Sequence, residues 1–167
     1  MATIDDYQSG KAAKAVRMAY DTMNMLEKPL AETEFAGIFA KNVKKLTPLA
    51  VGGERAFEYI RKANRCAVGE RLCKCEFLEA PSSCAVFLEE LADAMVESGK
   101  AKYASKEEAM AALSKHKARP LIVSKISGKY MEICRTWLEN CFYWNMEKHG
   151  MKCIQRHTTF SQMLTAI

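Results

Sequence analysis

The chain has 167 residues, of which 49% are hydrophobic and 27% are charged, with a net charge of +5. This composition is typical of a globular domain and excludes a chain that is disordered throughout. The longest apolar runs span only a few residues, which excludes a transmembrane helix. The first residues show neither the basic nor the apolar segment of a secretory signal, so we expect a cytoplasmic protein that does not associate with membranes.

Three helices are predicted in the N-terminal part of the chain. Apolar side chains recur at steps of three and four over residues 11–27, where Pro29 follows as a stop, and again over residues 33–46. A shorter helix is predicted for residues 54–64 on the same grounds. We therefore interpret residues 1–64 as an N-terminal helical segment.

The next predicted elements follow a stretch that is rich in cysteine. Residues 65–84 hold four of the seven cysteines and follow neither helical nor strand periodicity, so we interpret them as a loop. A helix is predicted for residues 84–98 and a short extended link for residues 100–104. A Ser-Lys-Glu-Glu capping box then predicts a helix over residues 105–116.

Strand signals are concentrated near the C-terminus. Two β-rich runs within residues 121–134 are separated by a Ser-Gly pair, which predicts a hairpin. A second capping box at Thr136 predicts a helix that ends at Gly150, and residues 151–157 predict one more strand.

These elements together predict the fold class. We expect an α+β fold that is predominantly helical, with a small antiparallel β-hairpin or sheet in the C-terminal half. Residues 65–157 are interpreted as a cysteine-rich α+β segment that packs with residues 1–64 as a single domain. Residues 158–167 are interpreted as a tail.

The cysteines are the main indication of function, because reducing compartments disfavour structural disulfides. Cys73 and Cys75 are separated by a single lysine, and Cys84 lies at the predicted start of a helix, whose dipole favours a thiolate. Thiolates bind metals, so the pattern predicts a cysteine-ligated centre. Cys134, at the end of the predicted hairpin, is the preferred fourth ligand. Its rivals are Cys66 and Cys141.

The spacing alone leaves the kind of centre open. Four cysteines hold both iron–sulfur clusters and structural zinc. The chain has neither the paired C-x₂-C knuckles of zinc sites nor the C-x₂-C-x₂-C run of bacterial ferredoxins. The opposing interpretation is that the cysteines are small buried hydrophobic residues that bind no metal, which fits Cys141 and Cys153 well.

Several short motifs occur in a fixed order between residues 73 and 134. They are Cys73-Lys74-Cys75, Pro81 to Cys84, Ala85-Val86-Phe87, Gly99-Lys100, Ser105-Lys106-Glu107-Glu108-Ala109 and the hairpin leading to Ile133-Cys134. In this order they resemble small ferredoxin-like proteins of anaerobic bacteria and archaea. The chain departs from that family after Ile133, where Cys134 and Cys141 stand in place of clustered cysteines.

The resemblance implies an iron–sulfur protein of anaerobic metabolism that transfers electrons to a redox partner protein or senses redox state. A 4Fe-4S cluster is favoured, with zinc as the alternative. The implied cofactor-binding and metal ligands are Cys73, Cys75, Cys84 and Cys134.

Two further functions remain open. The helix at residues 105–116 followed by the hairpin resembles a winged-helix domain, whose lysines would contact nucleic-acid phosphates, but Glu107 and Glu108 on that helix make this interpretation less favoured. The other is a metal-free binding module with structural cysteines. The histidines lie beside no cysteine or carboxylate at catalytic spacing, so we assign no catalytic residues.

Overall fold

A seven-stranded sheet with seven α-helices packed around it makes up the residues that this computed structural model describes, 2–75 and 84–156. The strands are β1 (Leu49–Val51), β2 (Cys66–Glu70), β3 (Cys84–Leu88), β4 (Ala101–Ala104), β5 (Leu121–Ile126), β6 (Lys129–Arg135) and β7 (Gln155–Arg156). The helices are α1 (Ile4–Gln8), α2 (Lys11–Met25), α3 (Ala36–Lys44), α4 (Gly53–Lys62), α5 (Glu89–Glu97), α6 (Lys106–Ser114) and α7 (Phe142–Lys148). The predicted tail and the side chains of Cys75 and Cys84 lie outside the described residues.

The sheet is mixed and draws its strands from most of the chain. Its strand order is β4-β2-β3-β6-β5-β1-β7. Neighbouring strands are antiparallel except β1 and β7, which run parallel. The prediction of a predominantly helical α+β fold with a small sheet in the C-terminal half is therefore wrong. The protein has a mixed α/β fold, in which strands from the cysteine-rich stretch form part of the sheet.

The helix predicted for residues 84–98 is wrong in its first five positions. The run from Ala85 to Leu88 is buried throughout, so it lacks the alternation of buried and exposed residues that marks a half-covered strand. A short continuous apolar run also fits a buried helix. The chain passes directly from β3 into α5 at Glu89, whose φ of 52° turns the backbone. Cys84 begins a strand, so the predicted stabilisation of its thiolate by a helix N-terminus is wrong.

Most of the other predicted helices are confirmed. Helices α2 and α3 lie within the ranges predicted for the N-terminal segment, and α4 begins at Gly53, one residue before its predicted range. The capping box before α6 is also confirmed, because the Ser105 hydroxyl accepts from the Glu108 backbone N–H and the Glu108 carboxylate accepts from the Ser105 backbone N–H. Local signals of this kind depend on few neighbours, which is why they are visible in the sequence.

The hairpin is confirmed, but the second capping box is not. Ser127 and Gly128 have φ values of 48° and 85°, the left-handed pair that a tight two-residue turn between β5 and β6 requires. Helix α7 begins at Phe142, six positions after Thr136. The Thr136 hydroxyl instead donates to the Pro120 carbonyl and accepts from the Trp144 indole, both at 3.0 Å.

The two faces of β6 have different surroundings. Arg135 donates to the Leu113 carbonyl of α6 at 2.9 Å, so its face of the sheet meets α6. Glu132 and Cys134 project from the opposite face, because successive side chains of a strand alternate. On that second face Ser124 of β5, paired in register with Glu132, contacts Tyr143 of α7.

The helices are short. The longest of those described, α2, has 15 residues. Within residues 2–75 and 84–156, no helix has the length and hydropathy to span a bilayer.

Candidate functional site

A cavity of about 580 Å³ lies between α2, α3 and the second face of the sheet. Helix α2 contributes Ala12, Ala15 and Ala19, which recur at helical spacing and line the cavity. Their short side chains do not reach the sheet, so space remains between the two layers. Met18 and Ile38 also line the cavity and are 71% and 61% exposed, which places its opening between α2 and α3.

The base of the cavity is formed by a buried carboxyl group and its two hydrogen-bond donors. The Tyr7 hydroxyl donates to Oε2 of Glu132 at 2.6 Å, and the Cys134 thiol donates to Oε1 at 3.4 Å. Glu132 is only 4% exposed. Burial raises the pKa of the Glu132 carboxyl, although both hydrogen bonds favour its ionised form.

The position of Cys134 follows from the pleat of β6. Glu132 and Cys134 are two residues apart on one strand and therefore share a face of the sheet. The Cys134 side chain is half-buried and lines the cavity. Burial, reinforced by the negative charge of Glu132, raises the pKa of the Cys134 thiol well above its ordinary value, so the resting group is the neutral thiol.

A second wall is built by the 3₁₀ turn Leu72–Cys75 and by the residues before α7. Arg71, 1% exposed, lines the cavity just before the turn, Cys73 lines it from within the turn, and Cys141 lines it from the start of α7. Arg71 lowers the pKa of the Cys134 thiol, whereas Cys73 and Cys141 raise it. These groups are therefore within electrostatic reach of one another across the cavity.

Two polar side chains complete the lining next to Glu132. The hydroxyl groups of Ser124 and Tyr143 are 3.1 Å apart and hydrogen-bonded. Burial and the Glu132 charge raise the pKa of Tyr143 well above its ordinary value, so it stays a neutral phenol. The cavity thus combines apolar walls with a small polar base.

The structure brings two of the four predicted cluster ligands to one cavity. Cys73 and Cys134 both line it, as does Cys141, one of the rival fourth ligands. The side chains of the other two predicted ligands, Cys75 and Cys84, lie outside the described residues. The rival Cys66 is buried in β2 and does not line this cavity.

The described side chains do not themselves form a metal site. Among them, no group of three or more His, Cys, Asp or Glu residues is arranged to hold a metal ion. The tetrathiolate site and its 4Fe-4S or zinc occupant therefore stay a prediction.

The predicted wing of a winged-helix domain is not a free hairpin. Strand β6 pairs with β3, and β5 pairs with β1, so both strands lie in the middle of the sheet. A wing requires a hairpin that projects from the edge of its sheet. The hairpin therefore differs from a projecting wing, and the less favoured nucleic-acid interpretation stays a prediction.

The residues that give the cavity its polar base were not predicted from the sequence. Tyr7, Arg71 and Glu132 are far apart along the chain and belong to no motif. One signal was present, because Glu132 interrupts a β-rich run at a position that a central strand would bury. A charged residue in such a run indicates either a strand edge or a buried functional group.

Comparison with known proteins finds no relative of this chain. Neither family models, nor curated proteins, nor solved structures match this chain.

Proposed function

We propose that the protein binds a small molecule that has an apolar body and one polar end. The observation that carries this proposal is the cavity of about 580 Å³, with apolar walls and with Glu132 and Arg71 at its polar part. Ligand sites in proteins are typically concave, mostly apolar and of this size, with a few polar groups that fix the orientation of the ligand. The metal-free binding module that the sequence left open is the interpretation closest to this geometry.

The polar groups at the base of the cavity indicate that the cavity is a ligand site and not a packing defect. Voids destabilise proteins in proportion to their volume, and burying a carboxyl or guanidinium group adds a further desolvation cost. Here the cavity and the buried Glu132 carboxyl occur at one place. Ionisable groups with a shifted pKa that line a cleft are typical of functional sites, and the pKa of the Glu132 carboxyl is raised by burial.

The opening of the cavity supports an apolar body for the ligand. Met18 and Ile38 flank it with exposed apolar side chains. Large apolar residues that lie side by side on a surface often mark a binding region. An apolar molecule would remain in contact with these side chains as it passes between α2 and α3, and its polar end would then reach the base.

Binding of a fluorescent apolar anion, anilinonaphthalene sulfonate, tests the proposal. Ala19→Phe would fill the cavity, and we expect it to weaken binding on the order of tenfold or more, which is a loss of about 1.4 kcal/mol. Ala111→Phe is the matched control, because Ala111 is exposed on α6, outside the cavity lining. If Ala19→Phe misfolds, Ala15→Phe at the exposed rim replaces it.

Two results would overturn the binding proposal. One is that the unchanged protein does not bind the probe at any concentration at which it stays monodisperse. The other is that Ala19→Phe and Ala15→Phe bind the probe as tightly as Ala111→Phe does. Circular dichroism of each variant establishes that it is folded before its affinity is compared.

A cysteine-ligated iron–sulfur cluster is the second candidate, and one observation favours it. Cys73 and Cys134, predicted as ligands of the same centre, line the same cavity. Such a protein would exchange electrons with a redox partner protein. Anoxic purification with iron, sulfide and zinc analysis tests this candidate, with Cys73→Ser and Cys134→Ser expected to lose the metal and Cys153→Ser to keep it. A preparation that contains neither iron nor zinc would exclude the metal centre.

A further inference from the structure

We propose that Cys134 and Glu132 form a nucleophile and general-base pair that cleaves an acyl compound, an ester or thioester of an apolar carboxylic acid. The inference goes beyond binding and rests on the proposed function, because the cavity must hold the substrate. Three observations carry it: the direct hydrogen bond between the two side chains, the group that holds the carboxyl in place, and the exposure of the thiol to the cavity.

The geometry matches what nucleophilic catalysis by a thiol requires. The nucleophile and its base must lie within hydrogen-bonding reach, and a third group must orient the base. The Cys134 thiol donates to Oε1 of Glu132 at 3.4 Å, a normal length for a sulfur donor, and the Tyr7 hydroxyl fixes Oε2 at 2.6 Å. Tyr7 is thus a positioning residue, whereas Cys134 and Glu132 would be the catalytic residues.

The position of Glu132 and Cys134 in a central strand makes the pair rigid. Glu132 and Cys134 belong to β6, which is paired on one side with β3 and on the other with β5. Sites carried by central strands hold their geometry better than sites on loops. The thiol also remains accessible, because Cys134 is half-buried and lines the cavity.

Arg71 provides the positive charge that such a reaction needs. When a thiol attacks a carbonyl group, negative charge develops on the carbonyl oxygen, and a cation in a water-poor site stabilises it. Arg71 lines the same cavity and is buried. The Cys134 thiol is hydrogen-bonded to Glu132, the general base, and Arg71 lies close enough to lower the pKa of the thiol.

The reaction balances with water as the only co-reactant. As the Sγ–C bond forms, the thiol proton passes to the Glu132 carboxylate, and the bond from the acyl carbon to the leaving oxygen or sulfur breaks as Glu132 returns the proton to it. The product is an acyl thioester on Cys134. Water then attacks this thioester, Glu132 accepts a proton from the water, and the C–S bond breaks as Sγ regains a proton. No atom is oxidised or reduced.

Cys153, a thiol outside the cavity lining, is a suitable control. Cys153 donates to the backbone carbonyl of Tyr143 at 3.5 Å, and a carbonyl cannot serve as a base. Cys153 is also half-buried but does not line the cavity. Cys153→Ser therefore removes a thiol of similar burial without touching the pair.

The experiment uses p-nitrophenyl hexanoate with the full chain. We expect release of nitrophenol together with a mass increase of one hexanoyl group, mapped by peptide mass spectrometry to Cys134. Cys134→Ala is expected to abolish the adduct, and Glu132→Gln to slow acylation by about 100-fold or more. Cys153→Ser is expected to react as the unchanged protein does. Tyr7→Phe is expected to slow acylation less than Glu132→Gln does and to change its dependence on pH.

Each contrary outcome has a definite meaning. An adduct on another cysteine, or a rate unchanged by Glu132→Gln in a folded variant, overturns the catalytic pair. If anilinonaphthalene sulfonate binds in the cavity but neither nitrophenol release nor an adduct is seen, the catalytic pair fails and the binding proposal stands. If the probe does not bind and the ester is not cleaved, the binding proposal and the catalytic pair both fail. Stoichiometric iron that is lost in Cys134→Ser would assign this thiol to a cluster and would also overturn the catalytic pair.

Discussion

The Tyr7 hydroxyl donates a 2.6 Å hydrogen bond to the Glu132 carboxylate, across 125 positions of sequence. The bond joins α1, at the N-terminal end of the chain, to the central strand β6. Both partners are buried, and both line the same cavity. A single contact therefore couples the stability of the fold to the geometry of the candidate site.

Replacement of Glu132 by Gln should change how stability depends on pH. Burial raises the pKa of this carboxyl above its ordinary value of 4.5, so the folded state binds the proton more tightly than the unfolded state does. Its contribution to stability is fully present below pH 4.5 and is lost as pH rises through the raised pKa. Glu132→Gln should therefore lose less stability than the unchanged protein between pH 4.5 and pH 8, as measured by urea denaturation at both values.

The control for that experiment is a carboxyl group with the opposite shift. The hydrogen bond from Lys129 lowers the pKa of the exposed Glu90. Glu90→Gln should leave the slope of stability against pH above 4.5 as it is in the unchanged protein. A Glu132→Gln variant whose slope equals that of Glu90→Gln would contradict the raised pKa.

Tyr7→Phe should destabilise the fold. The substitution leaves a buried carboxyl without one of its two described donors, and hydrogen bonds to charged groups contribute about 1.5–3 kcal/mol. Thermal and urea unfolding near neutral pH measure the loss. Tyr103→Phe is the control, because the exposed Tyr103 also donates to a carboxylate, that of Asp93 at 2.9 Å, and should lose nothing measurable. Equal stability of the two variants would show that the Tyr7 contact is not stabilising.

Gly69→Ala should separate two strands of the sheet. A Cβ atom at this position would lie 2.5 Å from the Lys100 carbonyl oxygen and 3.0 Å from the Ala101 Cβ atom, so β2 and β4 would have to move apart. We expect a loss of about 1–3 kcal/mol in the free energy of unfolding. Gly53→Ala, at the start of α4, has no atom within 4 Å of the added carbon and should not destabilise the protein.

Arg135→Met should weaken the attachment of α6 to the sheet. The Arg135 guanidinium is buried and donates to the Leu113 carbonyl at 2.9 Å and also to the Arg119 carbonyl. Each buried acceptor left without its donor costs about 1–3 kcal/mol. Amide hydrogen exchange should accelerate at the end of α6. Arg61→Met, which removes an exposed pair with Glu54, should leave that exchange unchanged.

Features that depend on neighbouring residues were predictable from the sequence. The turn at Ser127 requires left-handed backbone angles, and the cap at Ser105 requires a glutamate three positions later, so both are visible locally. The strand at Ala85–Leu88 was not predictable in this way, because its two covered faces depend on helices from elsewhere in the chain. Its sequence is equally compatible with a buried helix.

The candidate site was predictable only in part, for the same reason. Cys73 and Cys134 were predicted as ligands of one centre, and both line one cavity. Glu132 and Arg71 were not predicted, because what distinguishes these residues is burial. Glu132 is contacted by Tyr7 of α1, 125 positions earlier, and Arg71 precedes a turn that packs against α2, so no local pattern encodes either environment.

The place of β1 in the strand order constrains how the protein folds during its synthesis. This strand, at Leu49–Val51, lies between β5 and β7, which leave the ribosome much later. Its backbone N–H and C=O groups therefore have no sheet partner while the middle of the chain is being translated. The two edges of this segment therefore gain their sheet partners only after nearly all described residues have been synthesised, so its pairing is among the last steps of folding.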